Sequence, residues 1–306
     1  MNRLAPFAGG MVCAVVLSVP ALAADEGSLP HACAVSTFNG KFEGAGGYFE
    51  DDGSGADGRG HGALSFTMPL GCELGFQLDT AFGTLGGREA GGVGAHLFTR
   101  DPSRYLFGAY ASYSAIDNFT TTNDIFRVGA EGEFYLEQFS FEGVAGYEDA
   151  DFGSKDWFGQ FTAAFYATDN VRVSAGYRHF LSVDAGVASV EWQPQGLGVP
   201  VSLFVEGQVG SNSYASVFGG FRFHFGAGDK SLKRRHREDD PGNLLMNLLA
   251  TTCTGMFPAS SSSTDGVIDD GTHGATKIPV SSPYTDTCGN SVGSSSVSAD
   301  GLDAVD

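Results

Sequence analysis

The chain has 306 residues, a formal net charge of −19, 45 glycines and 25 phenylalanines, and only 17% of its residues are charged. The acidic balance repels nucleic-acid phosphates and excludes nucleic acid as a partner. Because so many aromatic side chains must be buried somewhere, the composition also excludes a chain that is disordered throughout. Glycine combined with aromatics favours an all-β architecture.

Residues 1–23 have the pattern of a secretory signal peptide. Arg3 is their single charge, an apolar run extends from Met11 to Val19, and Ala21-Leu22-Ala23 offers a small-residue cleavage site. The apolar run is shorter than the roughly 20 residues that a spanning helix needs. We therefore expect export, followed by a short periplasmic segment at residues 24–36.

Residues 37–226 are expected to form strands, because apolar and polar residues alternate at period two through most of this range. Glu73–Asp79 and Val171–Arg178 are clear examples. About twelve such segments can be counted, each close to the 9–11 residues that a tilted transmembrane strand requires. Their approximate centres are residues 43, 65, 77, 95, 109, 130, 143, 161, 174, 189, 205 and 221.

Prolines support this strand assignment independently of hydrophobicity. Between residues 31 and 240 they occur only at positions 69, 102, 194 and 200, in or beside short turn-rich stretches. A proline inside a strand removes a hydrogen bond from the ladder, so its confinement to these stretches favours turns there.

The remaining connections read as longer polar loops, such as residues 49–58 and 148–155. An even number of strands, with short turns at one end and longer loops at the other, predicts an up-and-down antiparallel sheet. Both ends of the sheet then emerge on the short-turn side.

The two faces of the predicted sheet differ in chemistry. One parity is apolar, while the other carries charges of both signs in mid-strand, as a lipid-facing exterior and a polar lumen would. Closing the sheet removes its edges and satisfies the backbone within lipid. The charged residues predicted to line the lumen are Lys41, Glu43, Glu73, Asp79, Arg127, Glu131, Glu133, Glu142, Arg172, Arg178, Glu191, Glu206 and Arg222.

These lumenal residues comprise eight acids and five bases, and two outcomes are open. If they form ion pairs, the lumen is nearly plugged; if they segregate, the excess of acids predicts a mild cation preference. We expect Glu131 and Glu133 to pair with Arg127, Arg172 or Arg178 rather than to carry out acid–base catalysis.

With its signal peptide, alternating strands and aromatic last strand, Phe221-Arg222-Phe223-His224-Phe225, the chain resembles the porin-like outer-membrane β-barrels of Gram-negative bacteria. The resemblance implies contact with outer-membrane lipid and lipopolysaccharide, insertion by the barrel-assembly machinery, and no cofactor. It implies a structural role or a narrow channel for small polar solutes or ions. Such barrels commonly end at the last phenylalanine, whereas here residues 226–306 follow Phe225.

Residues 227–306 are expected to form a low-complexity periplasmic tail. Lys230–Arg237 is a basic run that could touch anionic head groups, although a solvated linker is the simpler interpretation. Asn243–Ala250 is apolar but too short to span a membrane, and Ser, Thr, Gly and Asp dominate from Pro258 onward.

Four cysteines follow the signal peptide, namely Cys33, Cys72, Cys253 and Cys288, and they allow three disulfide connectivities. The barrel topology would place Cys33 and Cys72 together at the short-turn end, leaving Cys253 and Cys288 to close a loop in the tail. Their spacing fits no zinc site. Residues 51–58 hint at calcium ligands but read more simply as an acidic loop, so no metal site is predicted.

Two other functions stay open. An outer-membrane lipase or lipid A deacylase would need a histidine near a serine, and His179 and Ser182 are the nearest match, but no orienting acid is evident and no catalytic residue is assigned. A secreted soluble β-sandwich would also show alternation.

Overall fold

The structure is a computed structural model. It describes residues 33–51, 55–85, 88–117, 122–151, 155–181, 183–211, 214–226, 229–239 and 241–251. The predicted signal peptide, most of the segment at 24–36, Ser182, Cys253, Cys288 and the tail beyond residue 251 lie outside these ranges.

Twelve antiparallel strands pair in sequence order into one closed barrel, which confirms the predicted fold. Each of the twelve predicted centres lies within a different strand, and the single closed sheet is not the two-layer packing of a sandwich. The strands are β1 (Asn39–Asp51), β2 (Gly55–Leu70), β3 (Leu74–Leu85), β4 (Arg88–Asp101), β5 (Tyr105–Asp117), β6 (Thr122–Leu136), β7 (Phe139–Ala150), β8 (Lys155–Thr168), β9 (Val171–Phe180), β10 (Val183–Trp192), β11 (Val201–Gly210) and β12 (Ala215–Phe225).

The barrel closes where β1 pairs with β12, in a ladder that runs from Gly40 opposite Phe225 to Glu50 opposite Ala215. The two backbones approach so closely in this seam that a Cβ at Gly47 would lie 2.0 Å from the carbonyl oxygen of Val217. Glycine is therefore required at this point of the seam.

The two ends of the barrel are named by their connections. The turn end holds the connections after β2, β4, β6, β8 and β10, and the loop end holds those after the odd-numbered strands. The strands reach 10–16 residues and extend into the stretches read as longer loops, so only two to four residues separate strands at the loop end. The predicted contrast in loop length is therefore not found: turn-end connections span two to eight residues, the longest from Gln193 to Pro200, while β1, β2, β7 and β8 continue into the stretches predicted as loops.

The outward-facing surface is apolar and banded. Exposed aromatic side chains form one belt towards the loop end, with Tyr48, Tyr113, Tyr147, Trp157 and Tyr177, and another towards the turn end, with Phe107, Phe134, Phe139, Phe165, Trp192 and Phe223. Aliphatic side chains such as Leu97, Val128 and Val205 are exposed between the belts. Two aromatic belts around an aliphatic band are the surface that an outer-membrane barrel presents to lipid.

Two helices follow the barrel, α1 (Leu232–Glu238) and α2 (Leu244–Thr251). This part of the chain differs from the expected tail, because half of its described residues up to Asn247 are buried in contact with the barrel wall. Among the residues that the structure describes, no helix is long and apolar enough to cross a membrane.

Candidate functional site: the barrel lumen

Alternation along the strands directs one set of side chains inwards. Twelve of the thirteen charged residues predicted for the lumen lie in strands with the inward parity, namely Lys41, Glu43, Asp79, Arg127, Glu131, Glu133, Glu142, Arg172, Arg178, Glu191, Glu206 and Arg222. Glu73 does not. It is exposed in the turn before β3, because that strand begins one residue later, at Leu74.

Most of these charges form ion pairs rather than segregating by sign. Arg172 donates to both carboxylate oxygens of Glu142 at 2.8 Å, and Arg178 holds Glu206 in a two-point contact at 2.7 and 3.0 Å. Both pairs join strands that are separated by a third strand, because inward side chains converge towards the barrel axis.

Arg222 forms ion pairs at the seam between β1 and β12. Its guanidinium lies 3.3 Å from Glu43 on the neighbouring strand and also donates to Glu191 of β10. Lys41 adds a second cation 3.6 Å from Glu43. Opposite charges thus neutralise one another along this wall of the lumen, which is the plugged alternative of the sequence analysis.

Arg127 and Glu148 form the most enclosed pair between an arginine and a carboxylate. They lie directly opposite each other on β6 and β7, and Arg127 Nε donates to Glu148 at 2.7 Å. Glu148 also accepts the backbone N–H of Leu181, while the guanidinium packs over the rings of Phe158 and Phe180. The sequence analysis missed Glu148, because it assigned residues 148–155 to a polar loop, whereas β7 continues to Ala150.

His96 lies between two carboxylates in the lumen. Its Nε2 is 3.0 Å from Asp79 and its Nδ1 is 2.8 Å from Glu131. The side chains of His96 and Asp79 are fully buried, and that of Glu131 is nearly so. His96 thus joins an acid of β3 to an acid of β6 through its two ring nitrogens. Glu131 therefore pairs with His96 and not with the predicted arginines.

Glu133 also differs from that expectation. It accepts a hydrogen bond from the hydroxyl of Tyr135 at 2.6 Å. Arg100, another inward residue that the sequence analysis missed, is buried with its guanidinium 4.7 Å from the ring of Phe98. Its nitrogens have no hydrogen-bond partner among the described residues.

Residues 229–239 and 241–251, which we call the lumenal segment, enter the barrel at its turn end. The backbone N–H of Lys233 donates to Asp169 in the β8–β9 turn at 2.9 Å, and that of Leu232 donates to the Asn170 side chain. Arg237 donates to the carbonyl of Phe139, the first residue of β7, at 2.8 Å. Helix α1 therefore lies against the wall of the turn-end opening.

Charged side chains on and beside α1 pair with one another as well as with the wall. Arg234 donates to Glu238 at 2.7 Å, and Lys230 lies 3.2 Å from the same carboxylate. Burial opposes ionisation of Glu238, but the hydrogen bonds from Arg234 and Lys230 outweigh it and lower the pKa of that carboxyl. Glu238 is thus held as a carboxylate that helps to stabilise the short helix.

Beyond α1 the segment bonds to several walls of the lumen. The carbonyl of Pro241 accepts from Lys41 and from Gln77, each at 3.2 Å. The side chain of Asn247 donates to Gln160 and accepts from Arg178, both at 3.0 Å. Strands β1, β3, β8 and β9 are therefore tied to one peptide that runs between them.

Apolar residues of α2 fill the loop-end half of the lumen. Leu245 and Met246 belong to a buried cluster of mainly loop-end residues that includes Phe49, Ile116 and Tyr214. Leu244 packs with a second cluster of residues, Tyr110, Val144, Phe158 and Phe180. The cavity that is left between wall and segment measures about 140 Å³, enough for a small cluster of water molecules.

The segment that precedes β1 is also fixed to the turn end. A disulfide joins Cys33 to Cys72, with an S–S distance of 2.08 Å, so the structure contains the favoured pairing of these two cysteines. Beside it, the backbone N–H of Ala34 donates to Cys72, and Val35 is buried against Phe98. Both ends of the barrel sequence thus narrow the same opening.

His179 lies on the outward-facing parity near the loop end. Its Nδ1 is 2.7 Å from Asp184 on the neighbouring strand, and its ring stacks on Trp157 with 4.2 Å between centroids. Asp184 is thus the orienting acid that the sequence analysis did not find. Among the described residues no group of histidine, cysteine and acidic side chains could hold a metal ion.

Comparison with known proteins shows that no protein-family model and no curated protein matches this chain. Among solved structures, the KdgM porin is 9% identical, with a TM-score of 0.46, over 61% of this chain and 99% of that chain. The outer membrane protein Omp33 of Acinetobacter baumannii is 10% identical, with a TM-score of 0.41, over 61% and 98%. The outer membrane phospholipase OMPLA of Salmonella typhi is 11% identical, with a TM-score of 0.43, over 65% and 94%.

Proposed function

We propose that this protein is an outer-membrane barrel kept closed by its own lumenal segment, and that it serves as a structural component of the envelope rather than as an open channel. The observation that carries the proposal is the path of residues 229–251, which bond to the turn end and continue into the loop-end half of the lumen. The apolar, banded exterior supports the membrane location.

The closed state has an energetic basis in the wall itself. A twelve-stranded barrel lies between the eight strands whose interior side chains fill and the sixteen or more that leave an aqueous channel. Here ion pairs such as Arg178–Glu206 hold charged side chains together along the wall, and Asn247 bonds to Arg178 as well. Wall and segment thus satisfy each other, and opening the lumen would expose both.

Electrical recording should separate the closed barrel from the narrow channel. We expect the full chain, purified and inserted into a planar bilayer, to give no conductance steps. A variant that lacks residues 227–306 should give steps, because the segment that fills the lumen is gone. The excess of acids on the wall predicts that these steps favour cations.

Heat-dependent gel mobility serves as the control that the shortened variant is folded. If that variant does not fold, the full chain with Leu245→Asp and Met246→Asp replaces it, since two carboxylates would destabilise the packing of α2 in its apolar cluster. Conductance of the unmodified full chain equal to that of either variant would overturn the proposal.

A lipid-modifying enzyme is a second candidate, favoured by the short contact between His179 and Asp184 on the outward-facing side. Trp157 covers the imidazole ring, however, so the histidine is almost fully buried. We expect His179→Gln and Asp184→Asn to leave phospholipid and lipid A composition unchanged, with Tyr48→Phe, an exposed outward tyrosine of the same belt on β1, as the matched control. Loss of a lyso-lipid or deacylated product in the first two variants alone would favour the enzyme instead.

A further inference from the structure

We infer that the chain crosses the barrel from the turn end to the loop end, so that residues 252–306 leave on the loop face and the barrel anchors them there. The inference uses the same lumenal path as the proposed function. It places the end of the chain on the side opposite to the turn-end opening, where a periplasmic tail would have to leave.

The direction of the path follows from the height of each contact. Lys233 bonds in the β8–β9 turn, and Arg237 bonds at the first residue of β7. Pro241 then bonds to Lys41, the third residue of β1 counted from the turn end. The segment therefore advances inwards as its residue numbers rise.

The second half of the path starts at the middle of the barrel and continues towards the loop end, since Gly94 is the seventh of the 14 residues of β4. Leu245 lies beside Gly94, and a Cβ built on that glycine would be 3.6 Å from its Cδ1. Asn247 bonds to Arg178 and Gln160, which lie opposite each other on β9 and β8, and Gln160 is the sixth residue of β8 counted from the loop end. Helix α2 continues to Thr251, and four more residues of helix advance it by about 6 Å.

A return of the chain to the turn end through the lumen is obstructed. The height at which it would have to pass is filled by the apolar cluster around Leu245 and Met246. The cavity beside the segment, about 140 Å³, is lined with charged groups that already pair with the wall. A second pass would have to break those pairs.

The sequence that would be anchored is chemically distinct from the barrel. Residues 252–306 contain seven aspartates and a single lysine, with frequent serine and threonine. An acidic, hydroxyl-rich peptide stays hydrated at a membrane surface, and its negative charge excludes anionic polymers as partners while favouring cationic ones. We therefore assign the barrel the role of an anchor for an acidic surface peptide.

Epitope tags of the same sequence test the sidedness. One strain carries the tag after Asp306, a second carries it in the β5–β6 connection at residues 118–121, and a third carries it in the β6–β7 turn after Glu137. Antibody binding is compared between intact and permeabilised cells, after heat-dependent mobility has shown that each barrel is folded. We expect the tag after Asp306 to behave like the tag in the β5–β6 connection, and opposite to the tag in the turn.

Behaviour of the tag after Asp306 like that of the turn tag would overturn the inference. A cross-link supplies a second measurement that does not depend on the tags. A short bifunctional thiol reagent should join Gly94→Cys to Leu245→Cys in a cross-link found by mass mapping, and it should give no such cross-link with Gly94→Cys alone. Absence of the cross-link in the folded double variant would also count against the path. Neither readout is conductance, so the two proposals can fail separately. A full chain that conducts ions but exposes its last residues on the loop face would contradict the proposed function and leave this inference standing.

Discussion

Replacing Arg127 with methionine is expected to lower the free energy of unfolding by about 3–5 kcal/mol, the usual cost of removing one partner of a buried ion pair. Glu148 is fully buried, and without the guanidinium it would keep only the N–H of Leu181 as a donor. The guanidinium also packs over two phenylalanine rings, and the loss of its charge would remove these cation–π interactions. Urea titration of protein refolded into lipid vesicles would measure the change.

Two comparisons isolate the buried charge. The double variant Arg127→Met with Glu148→Gln should recover part of the loss, because no unpaired carboxylate remains in the lumen. Arg234→Met removes an ion pair whose arginine is 58% exposed, and it should change stability by less than about 1 kcal/mol. Equal effects of Arg127→Met and Arg234→Met would contradict the enclosed lumen.

The fold could be predicted from the sequence because successive side chains of a strand point to opposite faces. A sheet with one apolar and one polar face therefore shows a period of two in its sequence. Proline positions and alternating parity located all twelve strands, and parity alone put Arg172 and Glu206 on the inner face. The ends of the strands could not be located in this way. Glu73 continues the alternation of β3 although it lies in the turn, and Glu148 lies within β7 although an acidic stretch follows it.

The lumenal segment could not be predicted, since the usual rule of burial is reversed inside this barrel. A basic run such as Lys230–Arg237 normally indicates a solvated surface, yet Arg235 and Arg237 are buried here because the surrounding wall offers carbonyls and amides to their guanidinium groups. Pairs such as His96 with Glu131 join strands that are not neighbours, and a linear pattern carries no record of such contacts.

The exterior yields the second large prediction. Val205 lies at the middle of β11 with the outward parity and is 55% exposed, in the aliphatic band between the aromatic belts. We expect Val205→Arg to lower the free energy of unfolding in lipid vesicles by about 2–4 kcal/mol, the range of the cost for arginine at the bilayer midplane. Urea titration in vesicles would give this value.

Val209 provides the matched control, because it has the same parity on the same strand, is 68% exposed and lies one residue from the loop end. Near the interface an arginine can reach water and head groups, so Val209→Arg should cost only about 0–1 kcal/mol. A soluble protein would tolerate both substitutions equally, since both positions would face water. Equal tolerance would therefore mean that hydrocarbon does not surround this surface, whereas a cost that falls with distance from the middle of β11 is what a bilayer imposes.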